Sequence, residues 1–219
     1  MLPLKLFNNP DKTPHLLCLG AHCDDVEIGC GGTLLKLIAA QVNIHITWVI
    51  FSSTEARKRE AEVSASLFCK NAGNLDLRIL DFRDGFLPTE GIKLKEAFEQ
   101  VKKDIPAPDV IFTHYRNDLH QDHRAVSDLT WNTFRNHLIL EYEIPKWDGD
   151  LAVPNSFITF NQETGRQKIA YLQQAYNSQK QKKWFSDDLF WSLMRIRGME
   201  CNADSTIAEA FYSRKLLLE

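Results

Sequence analysis

His15-Leu16-Leu17-Cys18-Leu19-Gly20 is a short, unbroken apolar run, the pattern of a strand buried on both faces. Downstream, Leu34-Leu35-Lys36-Leu37-Ile38-Ala39-Ala40 predicts a helix opening after Gly31-Gly32. Ile44-His45-Ile46-Thr47-Trp48-Val49-Ile50-Phe51 alternates and is rich in β-branched residues, so a second strand follows. The same alternation continues with a helix from Arg57 to Cys69, whose apolar face is Val63, Leu67 and alanines. Next come a strand at Leu77-Arg78-Ile79-Leu80, a helix from Lys93 to Lys103, a strand at Asp109-Val110-Ile111-Phe112-Thr113 and a helix from Asp122 to His137. Strands separated by helices of this length build βαβ units. The expected fold class is α/β: a mostly parallel sheet with helices on both faces.

After about residue 140 the pattern changes. Pro145, Trp147 and Pro154 crowd together, and a polar helix is expected from about Gly165 to Lys182. This region reads as a cap or elaboration on the sheet, so residues 1–219 form one domain, with a catalytic core at about 15–137 and a C-terminal elaboration at about 138–219. Lys180, Lys182 and Lys183 read as the solvated end of the polar helix. Composition agrees with a globular chain: 219 residues, 44% hydrophobic, 25% charged and a net charge of −3. That balance gives no global attraction to nucleic acid. No run approaches the roughly 18 apolar residues of a membrane helix. The opening MLPLKLFNNPDKTP lacks the long apolar core of a secretory leader. Five cysteines without a CxxC pair argue against a disulfide framework and for a reduced, cytoplasmic protein. Cys18, Cys23 and Cys30 flank a histidine and two aspartates, but as small core residues they need no metal.

Two polar clusters each follow a strand. The first is Ala21-His22-Cys23-Asp24-Asp25-Val26-Glu27; the second runs from His114 through Asp118, His120 and Asp122 to His123. In a parallel sheet all carboxyl ends lie on one edge, where open α/β sheets bind ligands. Imidazole and carboxylate are good zinc ligands, and a catalytic zinc keeps three of them and an open position. His22 and Asp25 can chelate from one tight loop, and His123 can supply the third ligand. Asp24 can then take a proton from water whose pKa the metal lowers. His120, if protonated, can donate to a developing oxyanion, and Asp122 can hold an imidazole in the right tautomer. Singly, each residue has a structural reading: Asp24-Asp25 could cap the next helix, and Asp118 with Gln121 resembles a capping box. Two such clusters, each directly after a strand, are hard to obtain as mere surface polarity. His15, His45 and His137 lack nearby acidic partners and read as structural; His114 has no assigned role. Gly29-Cys30-Gly31-Gly32 matches neither nucleotide-binding fingerprint. A close turn that faces helix amides toward the site is expected there.

The first cluster, extended to Gly32, resembles the AHPDDxExGxGG signature of the PIG-L/LmbE-like deacetylases, and His120-Gln121-Asp122-His123 resembles their HPDH signature. Weaker similarity covers Arg57-Lys58, Glu60-Ala61, Asp84-Gly85, Arg197-Gly198 and Ala208-Glu209. Cys23 and Gln121 stand where the family has proline. The resemblance implies a Rossmann-like fold and a zinc-dependent hydrolase, with iron(II) as the alternative metal. It implies removal of acetyl from a small N-acetylated sugar conjugate of the N-acetylglucosamine type. It implies His22, Asp25 and His123 as metal ligands and Asp24 as general base. His120 would stabilise the tetrahedral intermediate, Asp122 would orient a histidine, and Arg57 would contact substrate. The segment Ser52 to Ala56 is shorter than the family's, which leaves Arg57 and Arg59 both open for that role. Two alternatives stand: a metal-dependent phosphoesterase or other metallohydrolase, which a second ion near Glu27 or Asp118 would favour, and a non-catalytic sugar-binding homologue. Aromatic residues of the C-terminal third could line a substrate groove or the interface of a homo-oligomer.

Overall fold

The buried apolar run forms β1 (His15–Gly20), and its burial on both faces follows from its place inside a sheet. The computed structural model describes residues 3–7, 9, 12–40 and 43–217. Met1, Leu2, Asn8, Pro10 and Asp11, part of the stretch read as lacking a leader, lie outside the described residues. β1 pairs in parallel with β2 (His45–Ser52) on one side and β4 (Val110–His114) on the other. β3 (Asn74–Phe82) adds beyond β2 and β5 (Leu138–Tyr142) beyond β4, both parallel. β7 (Ala208–Ser213) then runs antiparallel between β5 and the edge strand β6 (Ser156–Thr159), giving the order β3-β2-β1-β4-β5-β7-β6. This is the mostly parallel α/β sheet expected. Among the described residues no helix is long and apolar enough to cross a membrane.

The helices are α1 (Asp25–Ala40), α2 (Glu55–Phe68), α3 (Gly91–Asp104), α4 (Gln121–Thr133), α5 (Gln162–Ala175) and α6 (Asp187–Glu200). Side chains alternate across a strand, so each strand feeds two cores. Leu16, Cys18, Ile46, Trp48, Ile50 and Phe112 point to the face covered by α1, α2 and α5. Leu17, Leu19, Val49, Phe51 and Ile111 pack on the other face against Leu94 and Phe98 of α3 and Val126 of α4. The five cysteines are free and buried.

Several boundaries differ from the sequence reading. α1 opens at Asp25, not after Gly31-Gly32, and the glycines lie inside it. They permit close packing: a Cβ at Gly29 would stand 2.2 Å from the Tyr142 ring, and one at Gly32 would stand 2.4 Å from Phe160. Cys30 leaves helical geometry (φ −142°), and the amides of Gly32 and Thr33 bond the Glu209 carboxylate at 2.8 and 2.7 Å. The turn expected to aim amides at the site aims these two at the core. α4 ends at Thr133, four residues before the expected His137, because the chain must turn back to start β5. α5 stops at Ala175, so Lys180, Lys182 and Lys183 follow a short 3₁₀ turn at Asn177–Gln179 instead of ending a helix. The region after residue 137 adds β5, β6 and β7 to the sheet itself, with α5 and α6 packed on it.

Candidate active site

Register decides the location. Cys18 of β1 lies opposite Phe112 of β4, so the two strands end side by side, β1 at Gly20 and β4 at His114. The strand order reverses between β1 and β4, and a crevice opens at the carboxyl ends of such a pair. Both polar clusters sit there, with His22, Asp24, Asp25, Arg57, His120 and His123 on the wall of one cavity of about 240 Å³.

His22, Asp25 and His123 converge. His22 Nδ1 lies 3.2 Å from His123 Nε2 and 3.3 Å from Asp25 Oδ2, and His123 Nε2 lies 3.5 Å from Asp25 Oδ1. The far nitrogens of both rings face carboxylates. His123 Nδ1 is 2.9 Å from Asp118 Oδ2, while His22 Nε2 is 3.2 Å from Asp84 Oδ1 and 3.3 Å from Asp122 Oδ2. A neutral imidazole has one N–H and one lone pair. With the N–H groups turned to those carboxylates, two lone pairs lie close together, His22 Nδ1 beside Asp25 Oδ2 and His123 Nε2 beside Asp25 Oδ1. That donor set, two nitrogens and a carboxylate, fits a divalent cation of the zinc type. Burial opposes charge on His22 and His123, but Asp25 and the outer carboxylates outweigh it and raise both pKa values. Burial likewise opposes charge on Asp25, yet His123, His114 and His22 hold it well below the usual carboxylate range.

His120 caps α4, its Nδ1 accepting the amide of Asp122 at 3.2 Å. Its Nε2 therefore carries the proton and is a donor in the neutral ring. Burial and the neighbouring His123 and His22 lower its pKa, so the donor needs no imidazolium. Asp122 is buried, and its carboxylate receives the amides of Gly85 (2.7 Å) and Leu87 (3.1 Å) besides facing His22. Gly85, at φ +81°, lets the loop turn its amide inward. Asp24 is 5% exposed; Arg57 Nη2 is 2.6 Å from its Oδ1, and its Oδ2 is buried without a partner. Of the two arginines left open, Arg57 lines the cavity, whereas Arg59 pairs with Glu55 on the exposed face of α2. The thiols stay out of the centre: burial pushes Cys23 up to about 12, far from the thiolate a metal would need.

Three further residues stand near this centre. His114, the last residue of β4, stacks on His123 with ring centroids 3.9 Å apart, and its Nε2 is 2.9 Å from the Ala21 amide and 3.1 Å from Asp25 Oδ2. Burial and His123 push its pKa down to about 4, so it remains neutral. Asp118 does not cap α4. It faces His123 instead, and although burial opposes its charge, His123, His114 and Lys146 hold it at about 2. Asp84 is exposed and reaches His22 from the loop after β3. The sequence signals were the strand-end position of His114, the place of Asp118 two residues before His120-Gln121-Asp122-His123, and the Asp84-Gly85 pair.

Comparison with known proteins follows the same lines. The model of the PIG-L family, described as GlcNAc-PI de-N-acetylase, matches residues 17–134. YaiS of Escherichia coli (strain K12), described as an uncharacterized deacetylase, is 30% identical over 182 residues, covering 78% of this chain and 96% of that protein. Among solved structures, the N,N'-diacetylchitobiose deacetylase of Pyrococcus horikoshii has a TM-score of 0.66 at 20% identity, covering 96% of this chain and 87% of its own. GalB, the 4-carboxy-2-hydroxymuconate hydratase of Pseudomonas putida KT2440, has a TM-score of 0.70 at 15% identity, covering 94% and 98%. A hydratase and a deacetylase thus share this fold, so the fold alone does not select the reaction. The family match, which holds both strand-end clusters, is the narrower finding: the chain belongs to the PIG-L family.

Proposed function

We propose that the protein is a metal-dependent deacetylase that hydrolyses the acetamido bond of an N-acetylated amino sugar, of the N-acetylglucosamine-conjugate type. The observation that carries this reading is the convergence of His22 Nδ1, His123 Nε2 and the Asp25 carboxylate within 3.2–3.5 Å of one another on the wall of the cavity that Asp24 also lines. Family membership supports it, as do the deacetylase names of the relatives.

His22, Asp25 and His123 would hold the ion, zinc with iron(II) as the alternative. When bound, it supplies Lewis-acid polarisation of water and of the amide carbonyl. Asp24 takes a proton from the attacking water as the water oxygen bonds to the acetyl carbon. The carbonyl oxygen gains negative charge, and the Nε2–H of His120 donates to it. Asp24 then returns the proton to the departing nitrogen; the C–N bond breaks, leaving acetate and the free amine. Asp122 and Asp118 keep the imidazoles of His22 and His123 in the tautomers this requires. Arg57 is a cation on the cavity wall available to polar groups of the sugar. Five free, buried cysteines support a reducing compartment, the cytoplasm.

Asp24→Asn keeps the ligand set and removes the base. Metal content measured by elemental analysis should be unchanged, while acetate release from N-acetylglucosamine conjugates should fall about 10²–10⁴-fold. Full activity in this variant would overturn the role given to Asp24.

A further inference from the structure

Tyr176 is fully buried at the C-terminal cap of α5 and has no part in the chemistry above. Its hydroxyl donates to the backbone carbonyl of Cys23 and stands against Glu27 Oε1. Its ring lies under the Arg57 guanidinium, 5.7 Å from centroid to Cζ, and Phe185 packs edge-on against it. Cys23 leads directly into Asp24, and Arg57 Nη2 sits 2.6 Å from Asp24 Oδ1. One side chain therefore touches the peptide that precedes Asp24 and the cation that holds one of its oxygens. A carbonyl only accepts, so the contact with Cys23 needs the phenol proton. Burial and the nearby Glu27 and Asp24 raise the phenol pKa well above its ordinary value, which keeps that proton in place.

We propose that Tyr176 is a positioning residue for Asp24: its hydroxyl fixes the Cys23 peptide, its ring seats Arg57, and together they hold the Asp24 carboxylate in place on the cavity wall. The inference rests on Asp24 being the base. Arg57 holds Asp24 Oδ1 and Tyr176 holds the peptide that precedes it, so the direction of the carboxylate is set from two sides. A small misplacement of a reacting group costs up to about a hundredfold in rate, so the brace acts on turnover more than on binding.

The experiment compares Tyr176→Phe and Arg57→Lys with the wild type in the metal-loaded enzyme, using an N-acetylglucosamine conjugate. Tyr176→Phe should keep metal content and KM and lose roughly ten- to a hundredfold in kcat. In its crystal structure the Asp24 carboxylate should be rotated or drawn away from Arg57. Arg57→Lys should also lose kcat, since a lysine keeps the charge but not the planar fork, and a rise in KM beside that loss reports its contact with the sugar. Wild-type kcat with an unmoved Asp24 in Tyr176→Phe overturns the inference. So does a kcat loss matched by metal loss, which would mark a merely structural role. A rise in KM with kcat preserved in Arg57→Lys would make Arg57 a substrate arm only and remove that half of the brace. Full activity of Asp24→Asn would instead strike the base assignment, so the two failures are distinguishable.

Discussion

The imidazoles of His22, His120, His123 and His114 pack on one another, and three of them, His22, His114 and His123, meet the Asp25 carboxylate. Outer carboxylates fix two of these rings, His22 and His123, by facing their far nitrogens. His123 owes its orientation to Asp118, whose Oδ2 takes the Nδ1 proton while Oδ1 takes the amide of His120. Replacing Asp118 by Asn removes the negative charge that holds the Nδ1 proton, and its NH₂ must then face a donor, either the His120 amide or His123 Nδ1 and Lys146. Outer partners of metal-binding histidines typically govern affinity by 10–100-fold. Asp118→Asn should therefore weaken zinc affinity by about that factor, as measured by competition with a chromophoric chelator. An unchanged affinity would mean that Asp118 serves only the loop.

At the scale of elements, the close approach of α1 to the sheet is set by residues without side chains. Tyr142 lies against Gly29 while its hydroxyl donates to the Leu19 carbonyl at 2.7 Å, so the ring cannot easily retreat. Gly29→Ala should destabilise by roughly 1–3 kcal/mol through overpacking. In thermal unfolding, that is about 2–4 °C per kcal/mol for a chain of this size. The meeting of the two polar clusters is legible in the sequence because a parallel sheet brings its carboxyl ends to one rim, whatever the strand order. The start of α1 is not, because Gly29, Gly31 and Gly32 look like a turn unless their neighbours Tyr142, Phe68 and Phe160 are known. β5 escapes a reading of local pattern because Leu138-Ile139-Leu140 is short and continues directly from a helical pattern. Glu141 within it is buried, and its polarity is satisfied only by Arg116, Trp131 and Arg214 from elsewhere. Tyr176 and Asp84 act through contacts far along the chain, which local pattern does not encode.

At the scale of the whole molecule, two buried ion pairs tie the C-terminal elements to the rest. Lys168 of α5 lies 2.7 Å from Glu209 of β7 and donates to the Ile28 carbonyl of α1. Arg197 of α6 meets Glu143 through both of its oxygens at 2.6 Å. Removing one partner strands the other charge in the interior. Lys168→Met should cost about 3–5 kcal/mol in urea unfolding, and pairing it with Glu209→Gln should recover part of that loss. Equal destabilisation of the single and double variants would show that Glu209 matters only for the α1 amides.

Glu209 also has a consequence in time. It satisfies the Gly32 and Thr33 amides of α1 from 177 and 176 positions along the chain, on a strand inserted between β5 and β6. During synthesis the helix that carries Asp25 emerges early, with those two amides lacking their final acceptor. The segment that closes them, Ala208–Ser213, is made long afterwards. Contacts of such separation form slowly. A nascent chain halted before residue 208 should hold the loop of His22 and Asp25 on an unfinished scaffold, vulnerable to proteases, until its last interior strand arrives.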